Sequence, residues 1–305
     1  MSRTSKRTKR LRLILCLIAV LVCLCITLAD RWEDLYRAAG LKNETTGEEL
    51  AVYVLDAGNA DCTVITLGEE ALLIDAGLPS FGDDICDFLE EKEIEDLDYV
   101  IATHLHNDHI GGMAEVIENV PVEQFFLSPF PSGKAPNTQV YRRLTAALSQ
   151  QEITPETVTA GQTFSLGSAT FEVLSPFDTS GDANNQSVVC RLTYGNDRFL
   201  FMGDAEEPIE EKLLSTQASL RADFLKVGHH GSRTATTVAF LEKVFPKVAV
   251  IPCGEGNSYG HPHSEVLRLL EKKQIDVYRS DLHGEITVIS NGNGLTVTPE
   301  RKAAS

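Results

Sequence analysis

The chain has 305 residues, of which 43% are hydrophobic and 23% charged, with 27 Lys and Arg against 44 Asp and Glu and a formal net charge of −17. That length and composition can bury one large core or two small ones. The acidic balance, without a dense basic stripe carrying interleaved aromatics, argues against a protein that grips long DNA through its phosphates.

The first twelve residues hold six of the basic side chains and no acid, and residues 13–29 form an uncharged apolar run. Its 17 residues lie at the border between a signal-peptide core and a transmembrane helix. Positive charge ahead of the run predicts an N-terminus inside and everything after it outside. An uncleaved anchor is favoured over a cleaved signal, so the remainder is expected outside the cytoplasm, membrane-anchored by one helix or secreted. Residues 30–49 read as a polar stalk, 50–298 as the main domain and 299–305 as a tail. Beyond the basic N-terminus, 21 Lys and Arg face 44 acids. Cys16, Cys23 and Cys25 fall in the apolar run, leaving Cys62, Cys86, Cys190 and Cys253 beyond it. None of these four has metal-ligand spacing, and they read as small buried apolar residues.

Short strands open the main domain, and a helix is expected at 81–93. Tyr99-Val100-Ile101-Ala102-Thr103 reads as a buried strand, followed at once by His104-Leu105-His106-Asn107-Asp108-His109. Three imidazoles and a carboxylate within six residues are the ligands of a divalent-metal site. Leaving a strand, alternate residues share a side, so His104 and His106 are expected on one ion and Asp108 with His109 on a second. A polar turn capping a helix that begins near Gly111 would explain the same residues less economically. Further helices are expected at 113–119, 138–150, 208–215 and 264–273, with strands near Glu123, Phe164, Ala169, Ser187 and Arg198. Residues 128–161, with prolines at 129, 131 and 136, read as a lid or substrate loop carrying one helix. Strands with interspersed helices suggest two sheets packed face to face with helices outside, a four-layer αββα sandwich of the α/β class.

Several widely spaced motifs carry a resemblance. Besides the His104–His109 hexapeptide they are Asp56-Ala57-Gly58-Asn59-Ala60-Asp61, Leu73-Ile74-Asp75-Ala76-Gly77, Asn184-Asn185-Gln186-Ser187, Met202-Gly203-Asp204-Ala205-Glu206, Leu225-Lys226-Val227-Gly228-His229-His230-Gly231-Ser232, Tyr259-Gly260-His261-Pro262-His263 and Arg279-Ser280-Asp281. Together, over residues 50–298, they resemble the metallo-β-lactamase fold superfamily, and within it the extracellular domain of ComEC-type competence proteins, which take up DNA.

The resemblance implies that His104 and His106 hold one ion, Asp108, His109 and His230 a second, and Asp204 both. Asp204 could otherwise serve as an N-cap. Of the adjacent pair, His230 is favoured as the ligand, with His229 supporting it or touching substrate. Hydrolytic relatives usually supply a further histidine to the first ion, but none lies between His109 and His229. Asn185 or a water must then complete that shell, which makes manganese a competitor to zinc, the first choice for the two ions. Asp56, Asp61, Asp75 and Ser232 are placed near the site, as orienters of the ligands or substrate contacts. Asp56 and Asp61 suit a tight turn equally well. His261 is a proton-donor candidate, and His263 starts the last long helix.

The function implied is an extracytoplasmic metal-dependent phosphodiesterase, or nuclease-like enzyme, acting on DNA or nucleotides through a hydroxide held between two ions. Asp108, Asp204 and His261 are its catalytic candidates. A hydrolase of another extracellular phosphodiester, such as a choline-decorated wall polymer, and a non-catalytic metal-bearing surface module are the alternatives. The chain has no multispan channel region, so DNA uptake would require partners that the sequence does not identify.

Overall fold

The computed structural model describes residues 48–178 and 181–302. The anchor at 1–29, the stalk up to residue 47, the three cysteines of the apolar run and residues 303–305 lie outside the described residues. Among the described residues no helix is long and apolar enough to cross a membrane.

In chain order the elements are β1 (Leu50–Val54), β2 (Cys62–Leu67), β3 (Glu70–Ala76), α1 (Gly82–Glu91), β4 (Leu97–Ala102), α2 (Asn107–Ile110), α3 (Met113–Asn119), β5 (Val122–Leu127), α4 (Gln139–Gln150) and β6 (Glu156–Thr157). There follow β7 (Thr163–Leu166), β8 (Ala169–Ser175), β9 (Val189–Tyr194), β10 (Asp197–Phe201), α5 (Glu207–Ser215), β11 (Phe224–Lys226), α6 (Val238–Val244) and β12 (Val248–Ile251). The chain closes with α7 (Ser264–Lys272), β13 (Asp276–Arg279), α8 (Ser280–His283), β14 (Ile286–Ser290) and β15 (Leu295–Pro299). One sheet runs β15-β14-β1-β2-β3-β4-β5-β6 and the other β13-β12-β11-β10-β9-β8-β7.

The layering follows from strand alternation. Val52, Val54, Leu72 and Ile74 of the first sheet meet Phe171, Phe199, Phe201, Phe224 and Val250 of the second in one buried cluster. The intervening Ala71 and Leu73 turn outward to α1, α3 and α4 through Leu89, Val116 and Leu144. Leu200, Leu225 and Ala249 turn outward to α5, α6 and α7 through Leu213, Phe240 and Leu270. The result is the expected αββα sandwich.

The one helix expected within residues 128–161 is α4, capped by Thr138 accepting from Tyr141 N at 3.1 Å and burying Leu144, Ala147 and Leu148 in the outer layer. One expectation is corrected: the segment read as a tail stays attached as far as Arg301, because Glu300 N donates to Glu285 O and Arg301 N to His283 O, each at 2.8 Å.

Parallel pairing positions the site. The runs β3-β4-β5 and β10-β11-β12-β13 are parallel, so each sheet delivers several strand ends and their following loops to one edge. The hexapeptide leaves β4, Asp204 follows β10, and His229 and His230 follow β11. Close backbone contact seats the first of these loops. Gly111 N donates to Gly77 O at 2.9 Å, and a Cβ at Gly111 would fall 2.3 Å from Leu78 C and 2.5 Å from Asn107 O, so no side chain fits there.

Candidate metal centre

A short helical turn, α2, begins already at Asn107 and turns Asp108 and His109 back toward the sheets, while the helix expected near Gly111 is α3, with Gly112 at its N-cap. His104 and His109 are fully buried. His109 Nδ1 lies 2.8 Å from Asp75 Oδ2, which fixes the ring with Nε2 aimed inward. Asp75 is itself held by Thr103, whose N and Oγ1 donate to it at 2.8 and 2.7 Å. His104 Nδ1 stands 3.3 Å from Thr103 Oγ1 and 3.4 Å from Ser187 Oγ, leaving Nε2 for the site. His106 Nδ1 is 3.0 Å from that Nε2. Two nitrogens on one tetrahedral ion would stand about 3.4 Å apart, so the exposed His106 already sits near its working distance.

Asp204 is the meeting point. Its Oδ2 lies 3.3 Å from His109 Nε2, 3.9 Å from His104 Nε2 and 3.8 Å from His229 Nε2, while Oδ1 lies 3.7 Å from His230 Nε2. Asp108 Oδ2 approaches that same His230 Nε2 at 3.6 Å. One carboxylate oxygen therefore faces His104, His109 and His229, and the other faces His230, whose Nε2 also meets Asp108. Both histidines of the pair reach the aspartate because His229 and His230 adopt left-handed backbone, φ 48° and 51°. Such geometry costs about 1–3 kcal/mol per residue, and here it aims two neighbouring rings at opposite oxygens. His230 Nδ1 donates to Pro252 O at 3.1 Å, which leaves Nε2 unprotonated toward the site.

The charges follow from this crowding. Burial pushes the Asp204 carboxyl up, but His109, His230 and His104 outweigh it and hold the group well below the ordinary range. Asp108 is treated alike: burial raises it, and the nearby His230 and His109 hold it well below the ordinary range. His104 is held neutral by burial and by the neighbouring His109. His109 moves the other way, since Asp204 and Asp75 overcome its burial and raise it well above 6.5. His261 drops to about 4 through burial and the proximity of His229, His230 and His263. At neutral pH its ring is uncharged and can donate a hydrogen bond, not the formal proton expected of it.

The other sequence candidates divide. Asp61 is buried, with Oδ1 3.2 Å from His230 Nδ1, and its carboxylate pairs with Lys226. Asp56 instead pairs with Arg301 NH2 at 2.8 Å, so the expected contact with the ligands is replaced by a link to the C-terminal strands. Asn185 does not supply the missing ligand. Its Oδ1 accepts from Glu206 N at 3.3 Å and its Nδ2 donates to Asp182 Oδ1 at 3.1 Å, bracing the loop that carries Asp204. Ser232 faces Thr234 Oγ1 at 2.9 Å, Thr234 donates to Glu206 Oε1 at 2.6 Å, and Glu206 meets His229 Nδ1 at 3.0 Å. It thus acts on His229 through two intermediaries. His263 occupies the position before α7, accepting from Arg233 N at 3.1 Å. Thr103, Ser187, Glu206 and Lys226 were not singled out from sequence, although all but Thr103 lie within the motifs. The four described cysteines are unpaired, and Cys62, Cys190 and Cys253 are buried.

A model of the metallo-β-lactamase superfamily matches residues 55–125 and 165–255. The chain belongs to that superfamily. Among its relatives are ComE operon protein 3 of Bacillus subtilis, 34% identical over 65% of this chain and 25% of that one, and Recombination protein 2 of Haemophilus influenzae, 28% identical over 78% and 28%. Competence protein ComA of Neisseria gonorrhoeae is 29% identical over 78% of this chain and 32% of its own. The chain therefore spans about a quarter to a third of the length of these relatives. Of solved structures, the Bacillus subtilis metallo-β-lactamase fold protein YhfI superposes with a TM-score of 0.52 at 12% identity, over 80% of this chain and all of that one. The Streptomyces venezuelae diiron β-hydroxylase CmlA gives 0.53 at 16%, over 80% and 55%. These two show the shared fold.

The residues present fit the divalent cations of a metallo-β-lactamase superfamily hydrolase. His109 Nε2, Asp204 Oδ1 and His230 Nε2 are buried without a hydrogen-bond partner among the described residues, whereas buried polar atoms are normally satisfied. Convergent ligand groups form around them: His104 with His109 and Asp204, and Asp108 with His109 and His230. The raised His109 gives a direct expectation. At pH 7 the metal-free ring holds a proton that a cation must expel, so loading should release about one proton and weaken up to tenfold per unit of acidification below the raised pKa. Titration calorimetry in two buffers of different ionisation enthalpy measures it, and no proton release would contradict the assignment of His109.

Proposed function

We propose that this metal-dependent hydrolase is a phosphodiesterase acting on DNA or nucleotides outside the cytoplasm, with two divalent ions. The observation that carries the reading is the division of Asp204, one oxygen toward His104, His109 and His229 and the other toward His230, whose Nε2 also meets Asp108. His104, His106 and His229 would hold the first ion and Asp108, His109 and His230 the second, with Asp204 shared. The nitrogen of His229 stands in for the histidine absent between His109 and His229, and a nitrogen-rich set favours zinc over manganese. Bound cations supply charge neutralisation to the phosphoryl oxygens and acidify water. The chain's part is to keep the imidazoles unprotonated toward the site, through Asp75, Pro252 and Glu206, and to place the neutral His261 as a hydrogen-bond donor beside the leaving oxygen. The competence-protein relatives support nucleic acid as the substrate class, and the apolar run at 13–29 supports an extracytoplasmic site.

The test is to assay the full chain, loaded in turn with zinc and manganese, on single-stranded DNA, bis(p-nitrophenyl) phosphate, a phosphocholine diester and a β-lactam. Turnover of DNA and the nitrophenyl diester is expected. Cleavage of the phosphocholine diester with DNA untouched would replace the substrate class, and bound metal with no turnover would replace catalysis by binding.

A further inference from the structure

The loop between β12 and α7 is fixed from two sides. Asn257 Nδ2 donates to Gly254 O at 2.9 Å and to His261 O at 2.5 Å, while its Oδ1 accepts from His261 N at 3.0 Å. At the other face Gly254 packs on the segment before β2, so closely that a Cβ there would lie 2.7 Å from Asn59 N. On this rigid loop Tyr259 is 69% exposed, the largest fraction among the exposed large apolar side chains of the described residues.

The ring is directed rather than stray. Tyr259 lies 5.7 Å from His261 with planes 23° apart, and His261 lies 6.2 Å from His230, again at 23°. A stack of rings thus descends from solvent to the metal ligands, along one wall of a cavity of about 600 Å³. Leu78 and Leu105 also line that cavity, and its lining includes no Lys or Arg. That volume suits a small-molecule site. Without cationic side chains the pocket cannot gain affinity by neutralising successive phosphates. What it offers is an exposed aromatic face beside the reacting centre, the feature by which proteins hold unpaired bases irrespective of sequence.

We infer that Tyr259, backed by His261, is a stacking subsite for a nucleobase attached to the scissile phosphodiester, so that the preferred substrate is an unpaired nucleotide or single strand. The inference rests on the phosphodiesterase reading and adds what recognises the substrate. Within a duplex the interior bases are stacked on both faces and present no free face to Tyr259.

The metal-loaded full chain and its Tyr259→Ala, Tyr259→Phe and Tyr259→Trp variants are assayed on a short single-stranded oligonucleotide, an abasic oligonucleotide of equal length, and bis(p-nitrophenyl) phosphate. Tyr259→Ala is expected to raise KM for the base-bearing strand about tenfold or more with kcat little changed. The abasic strand should be indifferent to the substitution, and the Phe and Trp variants should retain the wild-type KM. Equal losses on both strands, or none on either, overturn the subsite. Wild-type enzyme that cleaves the nitrophenyl diester without preferring bases overturns the subsite alone. No cleavage of any of the three removes the phosphodiesterase reading with it.

Discussion

Asp204→Ala is expected to abolish hydrolysis while the sandwich remains folded. The two oxygens of Asp204 face different imidazoles, His104, His109 and His229 on one side and His230 on the other. With Asp204 shared as proposed, its loss would remove a ligand from both ions at once, and it leaves four imidazoles without the carboxylate they converge on. Loss of a single aligned electrostatic group costs about 10²–10³ in kcat, and a shared ligand should exceed the upper figure. Asp204 lies in a loop after β10, outside the three apolar clusters, so circular dichroism should be unchanged. Asp204→Asn, nearly equal in shape, should fail almost as badly because a neutral amide cannot balance two cations. Metal content by mass spectrometry should fall for both variants. Turnover within tenfold of wild type would remove Asp204 from the mechanism.

The second large effect belongs to a residue that never faces the substrate. Lys226 closes β11 with its ammonium buried against Asp61, and it also donates to Gly203 O at 3.1 Å. Burial pulls it down to about 7, so the pair survives in the interior only by mutual compensation. Lys226→Met should strand the Asp61 carboxylate and destabilise the metal-free chain by about 3–5 kcal/mol. Urea denaturation measures this, and the double change Lys226→Met with Asp61→Asn should recover a substantial part, as coupled neighbours do. Because Asp61 stands beside His230 Nδ1 and Gly203 precedes Asp204, metal affinity should also fall about 10–100-fold. A double variant no more stable than the single one would show that the two groups are not coupled.

Particular stretches show what is legible in the amino-acid sequence. The hexapeptide between His104 and His109 announced itself because its ligands are neighbours in the chain. Helices α1, α3, α4, α5 and α7 fell within a residue or two of their expected limits, since apolar spacing and caps such as Thr138 are local signals. Two contacts were not legible there for a common reason. The bracing of Glu206 by Asn185 and the pairing of Asp56 with Arg301 each depend on a partner far along the chain. The reach of His229 toward Asp204 belongs with them: alternation along an extended strand sends adjacent rings apart, and only two successive left-handed residues bring both to one carboxylate.

By itself, the amino-acid sequence determined the family, the layered fold and the candidate His and Asp ligands, because strand alternation, helix periodicity and contiguous His and Asp residues are local properties of the chain. Tertiary structure alone decided which oxygen of Asp204 meets which imidazole, that Lys226 closes on Asp61 165 positions away, and that Tyr259 stands over the cavity. Those outcomes are set by where parallel strands end and how their loops pack. A side chain's partners are fixed by the convergence of distant segments, and no local pattern encodes that convergence.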